Sequence, residues 1–169
     1  MPSSAIIPTV SWISLKTDAV IALRIATAAD CPALTEIALA AKAFWQYSDA
    51  EMQRFAPALT VTESLINDWE SGVLEEADDI AGFYLLDCRA AEAELMLLYV
   101  APLAMGKGYG RALFRAAAAS ARRQRYAHLD IAIDPHAEGF YQRMGARQVG
   151  WCRALWNSAE ELPRYRLKL

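Results

Sequence analysis

Leu95-Met96-Leu97-Leu98-Tyr99-Val100-Ala101-Pro102-Leu103-Ala104-Met105-Gly106-Lys107-Gly108-Tyr109-Gly110-Arg111 decides how this chain folds. The apolar run at its start reads as the end of a buried strand, Glu92 to Val100, closed by Pro102. Gly106-x-Gly108-x-Gly110 then opens an Ala-rich stretch, Gly108 to Gln124, that reads as a long helix. A strand, a glycine loop and a helix in this order suit an anion. Glycines let backbone N–H groups converge without Cβ obstruction, and the helix start adds the positive end of its dipole. Lys107 and Arg111 add formal charge beside it. Two familiar phosphate loops do not fit. No Ser or Thr follows Lys107, and Arg111 stands where the dinucleotide fingerprint needs its third glycine. On this segment alone, a glycine turn without a ligand stays open.

Toward the N-terminus, Ile21 to Ala26 alternates as a first strand. Ala33 to Phe44 carries Leu34, Ile37, Ala38, Ala41 and Phe44 at helical spacing. Trp45-Gln46-Tyr47-Ser48 interrupts that helix, and a short one over Ala50 to Phe55 is broken by Pro57. A third runs from a Thr60 or Thr62 cap to Ser71, with Leu65, Ile66 and Trp69 inward and Gly72 at its end. Val73–Glu76, Ile80–Asp87 and Glu92–Val100 form a meander around turns at Ala77–Asp79 and Arg89–Ala91. After the long helix come a buried strand over Ala127–Ile133, a helix over Pro135–Met144 stopped by Gly145, and closing strands at Gln148–Trp156 and Tyr165–Leu169. This order is an α/β chain with a mixed central sheet of about seven strands and flanking helices. A parallel pair is expected where the long helix joins the fourth and fifth strands. Residues 1–20 read as an N-terminal extension in which Val10 to Leu15 could cover an apolar patch, and residues 21–169 as a single domain.

Among 169 residues, 55% are apolar and 22% charged, the balance of a globular chain. No apolar run approaches a membrane span, and the first positive side chain, Lys16, comes too late for a secretory n-region. Cys31, Cys88 and Cys152 are scattered and odd in number, which suits reduced thiols and a cytoplasmic location. A net charge of −3 argues against nucleic acid as a partner. The charge is asymmetric: nine acids and one base lie between Asp49 and Asp79, six bases and no acid between Met105 and His128. That fits an anion handled by one half and a cation by the other, or simply two solvated faces.

Asp134-Pro-His-Ala137-Glu-Gly-Phe140-Tyr141-Gln-Arg-Met-Gly145-Ala146 resembles the N-x-x-A-x-x-F-Y-x-x-x-G-F signature of the GNAT (N-acetyltransferase) superfamily. Leu95-x-x-Leu98-Tyr99-Val100-x-Pro102 with the glycine loop resembles that family's fourth strand and acetyl-CoA motif. The resemblance extends from about Leu23 to Leu169. It implies a sheet splayed between strands 4 and 5, with the pantetheine arm of acetyl-CoA pairing along Leu98, Tyr99 and Val100. The amides of Met105, Gly106, Lys107, Gly108, Tyr109, Gly110 and Arg111 would hold the pyrophosphate, and Asp134, Ala137 and Phe140 would complete the cofactor site. The acetyl group would pass directly to a primary amine, with no covalent enzyme intermediate and no metal. Two departures stand out: Met105 replaces the family's Gln or Arg, and Asp134 replaces its Asn.

In the same resemblance Tyr141 takes the place of the residue that stabilises or protonates the leaving thiolate, a role its hydroxyl suits. Glu94 lies on the fourth strand, where some relatives place a base acting through water; the alternative is a solvated strand-start charge. Trp45 and Tyr47 fall where the family builds its acceptor site, and aromatic rings beside Asp49 and Glu51 suit an amine; core or lid packing is the alternative. His128 and His136 lack a third ligand for a metal. Two further readings are weighed: a non-catalytic acyl-CoA-binding module, and a nucleotide-binding protein using the glycine loop. Homodimer formation is expected only by analogy, with Trp151, Trp156 and Tyr165 as apolar material.

Overall fold

The computed structural model describes residues 11–12 and 20–169. The strands are β1 (Ser11–Trp12), β2 (Ile21–Arg24), β3 (Glu70–Glu76), β4 (Asp79–Asp87), β5 (Ala93–Val100), β6 (His128–Ala132), β7 (Arg147–Ala154) and β8 (Asn157–Lys168). They form one mixed sheet in the order β1-β2-β3-β4-β5-β6-β8-β7. Among the described residues only β5–β6 is parallel. Apart from the two-residue edge strand β1, the sheet has the seven strands expected, and β5 and β6 are the expected fourth and fifth. Beyond Ser11–Trp12, the N-terminal extension and the patch over Val10 to Leu15 lie outside the described residues up to Ala19.

Helices α1 (Cys31–Ala43), α2 (Asp49–Leu59) and α3 (Glu63–Asp68) precede β3; α4 (Tyr109–Arg123) and α5 (Glu138–Arg143) flank β6. Two apolar clusters sandwich the sheet. On one face α4 presses Leu113, Phe114, Ala117 and Ala121 against Leu95, Leu129 and Ile131. On the other, Leu34, Ala38, Phe55 and Leu59 of α1 and α2 cover Val73, Phe83, Leu85 and Leu97. Each fully buried large aliphatic among them contributes about 1.5–3 kcal/mol. Under the far end of the sheet, Asp130 of β6 is wholly buried and accepts hydrogen bonds from Arg164 and Arg166 of β8, the shortest at 2.6 Å.

Several boundaries depart from the sequence reading for physical reasons. Pro57 does not break α2. The helix is nucleated by a Ser48–Glu51 capping box, and Phe55 and Leu59 are buried on either side of the proline. Gly72 is not a helix stop but lies within β3 opposite Tyr84. A Cβ there would come within 2.2 Å of the Tyr84 ring, so the glycine makes room for an aromatic crossing the strand. The last strand runs from Asn157 rather than Tyr165, through Pro163. Phe44, read as inward, is 53% exposed, and the buried stripe of α1 runs instead through Leu34, Ala38, Ala41 and Lys42. Val149 and Trp151 are exposed on the outer strand β7.

Candidate active site

The parallel pairing of β5 with β6 covers only Ala93↔Leu129, Glu94↔Asp130 and Leu95↔Ile131. Past Leu95 the two strands part company. β5 stays with β4 as far as Val100↔Gly82, while β6 stays with β8, Ala132 facing Arg164. The sheet is therefore open between them. Ala101 donates its N–H to Ala81 of the β4 side at 2.9 Å. Strand alternation then turns the main-chain polar groups of Leu98 and Val100 toward the opening, where no described strand meets them.

The glycine loop sits at the mouth of this opening. Gly106 and Gly108 have φ of +81° and +86°, and Gly108 is the residue before the first turn of α4. Left-handed backbone at both positions lets successive amides face one side, as an anion-binding concavity requires. A Cβ on Gly110 would lie 3.5 Å from Phe140 and 3.7 Å from Val100. The strand, the loop and the Phe140-Tyr141 segment thus converge within contact distance. Arg111 is exposed in the first turn of α4. Two residues of the loop contribute otherwise than their charge or polarity suggested. Lys107 pairs with Glu76 at 2.8 Å, and the Tyr109 side chain is buried at 1% exposure, leaving its backbone to face the loop.

Tyr141 is 7% exposed and packs edge-on against Phe114 and Phe140, with centroids at 5.6 and 4.9 Å. Its hydroxyl makes no hydrogen bond among the described residues. Burial, with Tyr99 and Asp134 nearby, holds its phenol well above the ordinary value. Glu94 is half-buried on β5. Burial raises its carboxyl, with Asp130 and Asp87 adding to the rise and Arg164 opposing it. Its charged neighbours are therefore those of the sheet's far end, whereas Tyr141 is grouped with Tyr99 and Asp134.

Asp134 is the hub of the opposite lip. Its carboxylate accepts from the Lys42 ammonium, from the Tyr47 hydroxyl at 2.9 Å and from the His136 N–H at 2.9 Å. Burial would raise this carboxyl, but Lys42 and these hydrogen bonds hold it below the usual range. Lys42 is only 3% exposed. Its Nζ lies over the rings of Phe55, Tyr47 and Trp156, at 4.3, 4.6 and 4.8 Å from their centroids. The C-terminal end of α1 adds a favourable dipole. Tyr47, expected to face an amine, thus faces one supplied by the chain itself. Burial and the neighbouring Asp134 carboxylate raise its phenol. Trp45 stacks on His136 with centroids 5.0 Å apart and planes 4° from parallel, closing the α1–α2 loop over the β6–α5 turn.

Lys42 escaped the sequence reading, and Trp156, read there only as apolar material for a dimer, instead covers Lys42. The available signal was a cation eight residues after Leu34, on the same buried stripe of α1. Beside this cluster lies a cavity of about 70 Å3 bounded by Leu59, Met96, Tyr99, Leu155, Trp156 and Leu162 with Lys42 and Asp134. Of the acids between Asp49 and Asp79, Glu75 and Glu76 pair with Arg24 and Lys107, Asp68 pairs with Arg89, and Glu51 caps α2. Among the described residues there is no cluster of three or more metal-ligating side chains, and no helix is long and apolar enough to cross a membrane.

No curated protein matches the chain. Solved structures do. The fold is shared with the PaiA N-acetyltransferase of Thermoplasma acidophilum in complex with coenzyme A, at 18% identity and a TM-score of 0.73 over 88% of this chain and 99% of that one. A GCN5-related N-acetyltransferase from Rhodopseudomonas palustris is similar at 18% identity and a TM-score of 0.75, over 94% and 100% of the two chains. A GNAT family acetyltransferase from Elizabethkingia anophelis with acetyl-CoA bound is similar at 19% identity and 0.62, over 88% and 98%. At such identities these likenesses speak for the fold. The acetyltransferase (GNAT) domain family matches residues 44–155, about two thirds of the sequence, from the α1–α2 loop through the glycine loop and the Phe140-Tyr141 segment. The chain belongs to the GNAT acetyltransferase family.

Proposed function

We propose that this protein transfers an acetyl group from acetyl-CoA directly to a primary amine. The observation that carries this reading is the loss of β5–β6 pairing after Leu95↔Ile131, at the point where the glycine loop, Phe140 and Tyr141 meet. The residues fit the cosubstrate. Leu98 and Val100 offer an unpaired strand edge to a peptide-like pantetheine arm, and Tyr99 lies between them. The amides from Met105 to Arg111 and the start of α4 suit a pyrophosphate, with Arg111 as the nearby free cation among the described residues. Met105 contributes packing, since its side chain carries no donor. Ala137 and Phe140 wall the opening from the α5 side.

When bound, acetyl-CoA supplies the acetyl group as a thioester. Around it the chain has three tasks. The open edge and loop fix the reacting group in place, which converts encounter into orientation. Tyr141, buried and without a competing hydrogen bond, holds its proton at neutral pH and can donate it to the departing sulfur. Glu94 takes the amine's proton through water, from the same strand as Tyr99. The amine arrives from the α1–α2 side, between Trp45, Tyr47 and the Asp134 lip.

Tyr141→Phe tests the assignment of the acid. Turnover, followed as free thiol release, should fall by roughly 100-fold while CoA affinity stays within a few-fold. An unchanged rate removes Tyr141 from the chemistry. CoA binding with no thiol release for any amine would favour the non-catalytic acyl-CoA-binding reading instead. Glu94 predicts a pH limb: with a carboxyl raised by burial, the rate should drop as pH falls through that raised value, and Glu94→Gln should erase the limb.

A further inference from the structure

We propose that Lys42 is a positioning residue for the transfer: acting through Asp134, it cancels a carboxylate that would otherwise oppose the thiolate leaving within the β5–β6 opening. The inference rests on the transferase reading above. Asp134 borders that opening. The cavity of about 70 Å3 beside it touches Met96, Leu97 and Tyr99 of β5 and Ala132 and Asp134 at the end of β6, so it bridges the parted strands. The Asp134 charge also reaches both phenols there, adding to burial in raising Tyr99 and Tyr141. A carboxylate felt by Tyr141 is felt too by a sulfur that Tyr141 protonates. In the transfer the amine nitrogen bonds to the acetyl carbon, and the C–S bond breaks with its electron pair on sulfur. The Tyr141 proton goes to that sulfur, and the proton lost by the nitrogen restores the phenol by way of Glu94 and solvent. Until the sulfur is protonated it is an anion, and a negative neighbour disfavours it.

Asp134 does not shed its charge. The Tyr47 hydroxyl reaches both its oxygens, the His136 N–H donates to one, and with Lys42 they hold the carboxyl below its usual range. Compensation comes from α1, because Lys42 is the cation paired with Asp134 among the described residues. Tyr47, Tyr99 and Tyr141, from the α1–α2 loop, β5 and α5, are neutral phenols, and the His136 ring is stacked on Trp45. Glu51 of α2, which bears on Tyr47, is engaged by Ser48. Lys42 is held at its post. At 3% exposure, with Phe55, Tyr47 and Trp156 over its remaining face, its charge is little screened by solvent. Stability alone is a weak reason for such a pair, since apolar residues of like volume often serve as well.

The thiol of CoA itself reads the charge balance. Its thiolate absorbance in the ultraviolet, with the protein saturated by CoA and referenced to desulfo-CoA, is titrated in the parent protein, Lys42→Met, Asp134→Asn and the double variant. Lys42→Met leaves the carboxylate unopposed and should lower the ionisation constant of the bound thiol at least about threefold. Asp134→Asn leaves the ammonium unopposed and should raise it, and the double variant should fall between the two. The rate of thiol release from acetyl-CoA should drop in Lys42→Met and largely recover when Asp134→Asn is added. A merely structural Lys42 would leave the ionisation constant in place. An unchanged constant in Lys42→Met, or one lowered equally in the double variant, overturns the proposal. Should Lys42→Met fail to fold, Asp134→Asn against the double variant isolates the same charge, and equal constants overturn the proposal there. The titration needs no turnover. An absence of thiol release with every amine overturns the transferase reading, while the four constants still decide whether Lys42 sets the charge felt by the sulfur.

Discussion

The two lips of the opening are built in opposite ways. The lip we assign to the cofactor is nearly continuous in sequence: β5, the loop from Met105 to Arg111 and the first turn of α4 follow one another, and the loop's amides need no distant partner. The opposite lip, proposed for the acceptor, is assembled from four separated places, Lys42 in α1, Tyr47 in the next loop, Asp134 after β6 and Trp156 between β7 and β8. The first depends on backbone conformation and the second on side chains meeting across the fold. Substitutions should therefore fail differently on the two sides.

The largest effect is expected at Gly108. Its φ of +86° is one that a β-branched residue avoids, while the space for a Cβ is open, with Arg111 Nη2 the nearest atom at 3.8 Å. Gly108→Val should therefore cost about 1–3 kcal/mol locally and turn the amides away, weakening CoA by about 100-fold or more. A variant that binds CoA normally breaks the loop assignment. Gly108→Ala, which permits the left-handed region at lower cost, should lose less.

Next in size comes the acceptor lip. Lys42→Met leaves the Asp134 charge without its buried partner and should cost about 3 kcal/mol in the unfolding free energy, read from urea titration. Asp134→Asn alone leaves a buried ammonium and should be of similar size. Together they should cost much less than the sum, with a coupling of at least about 1 kcal/mol. Additive losses would show that the two side chains stabilise the lip independently, which the hydrogen-bonded pair argues against.

The smallest effect should be the acid limb of stability, and it lies mainly away from both lips. Arg24 holds the Asp30 carboxyl down to about 2, against desolvation, with help from Thr27. Asp130 and Asp134 are also held below the ordinary value despite their burial. A carboxyl depressed in the folded state contributes fully above its unfolded pKa, near 4, and loses that contribution as pH falls toward the folded value. The urea midpoint should accordingly drop between about pH 4 and 2. Arg24→Met should flatten the lower part of that drop, because Arg24 bonds to both Asp30 and Glu75.

By itself, the sequence determined the mixed sheet, the parallel pair across α4 and the place of the glycine loop. Those features rest on local period, glycine spacing and residues adjacent along the chain. The Phe140-Tyr141 segment was equally legible as a motif, and its contact with Gly110 follows the expected topology. Boundaries that depend on neighbours were not legible. Gly72 was needed by the ring of Tyr84, a residue twelve positions away across a strand pair, and no local signal distinguishes that from a helix stop. Only the tertiary structure decided the electrostatics of the acceptor lip. Lys42 and Asp134 stand 92 residues apart, and a buried lysine gains its partner and its three rings only when α1, the β6–α5 turn and the β7–β8 hairpin are packed together. Charge pairing falls off within a few ångströms, so a sequence, which records separation along the chain, carries almost no trace of it.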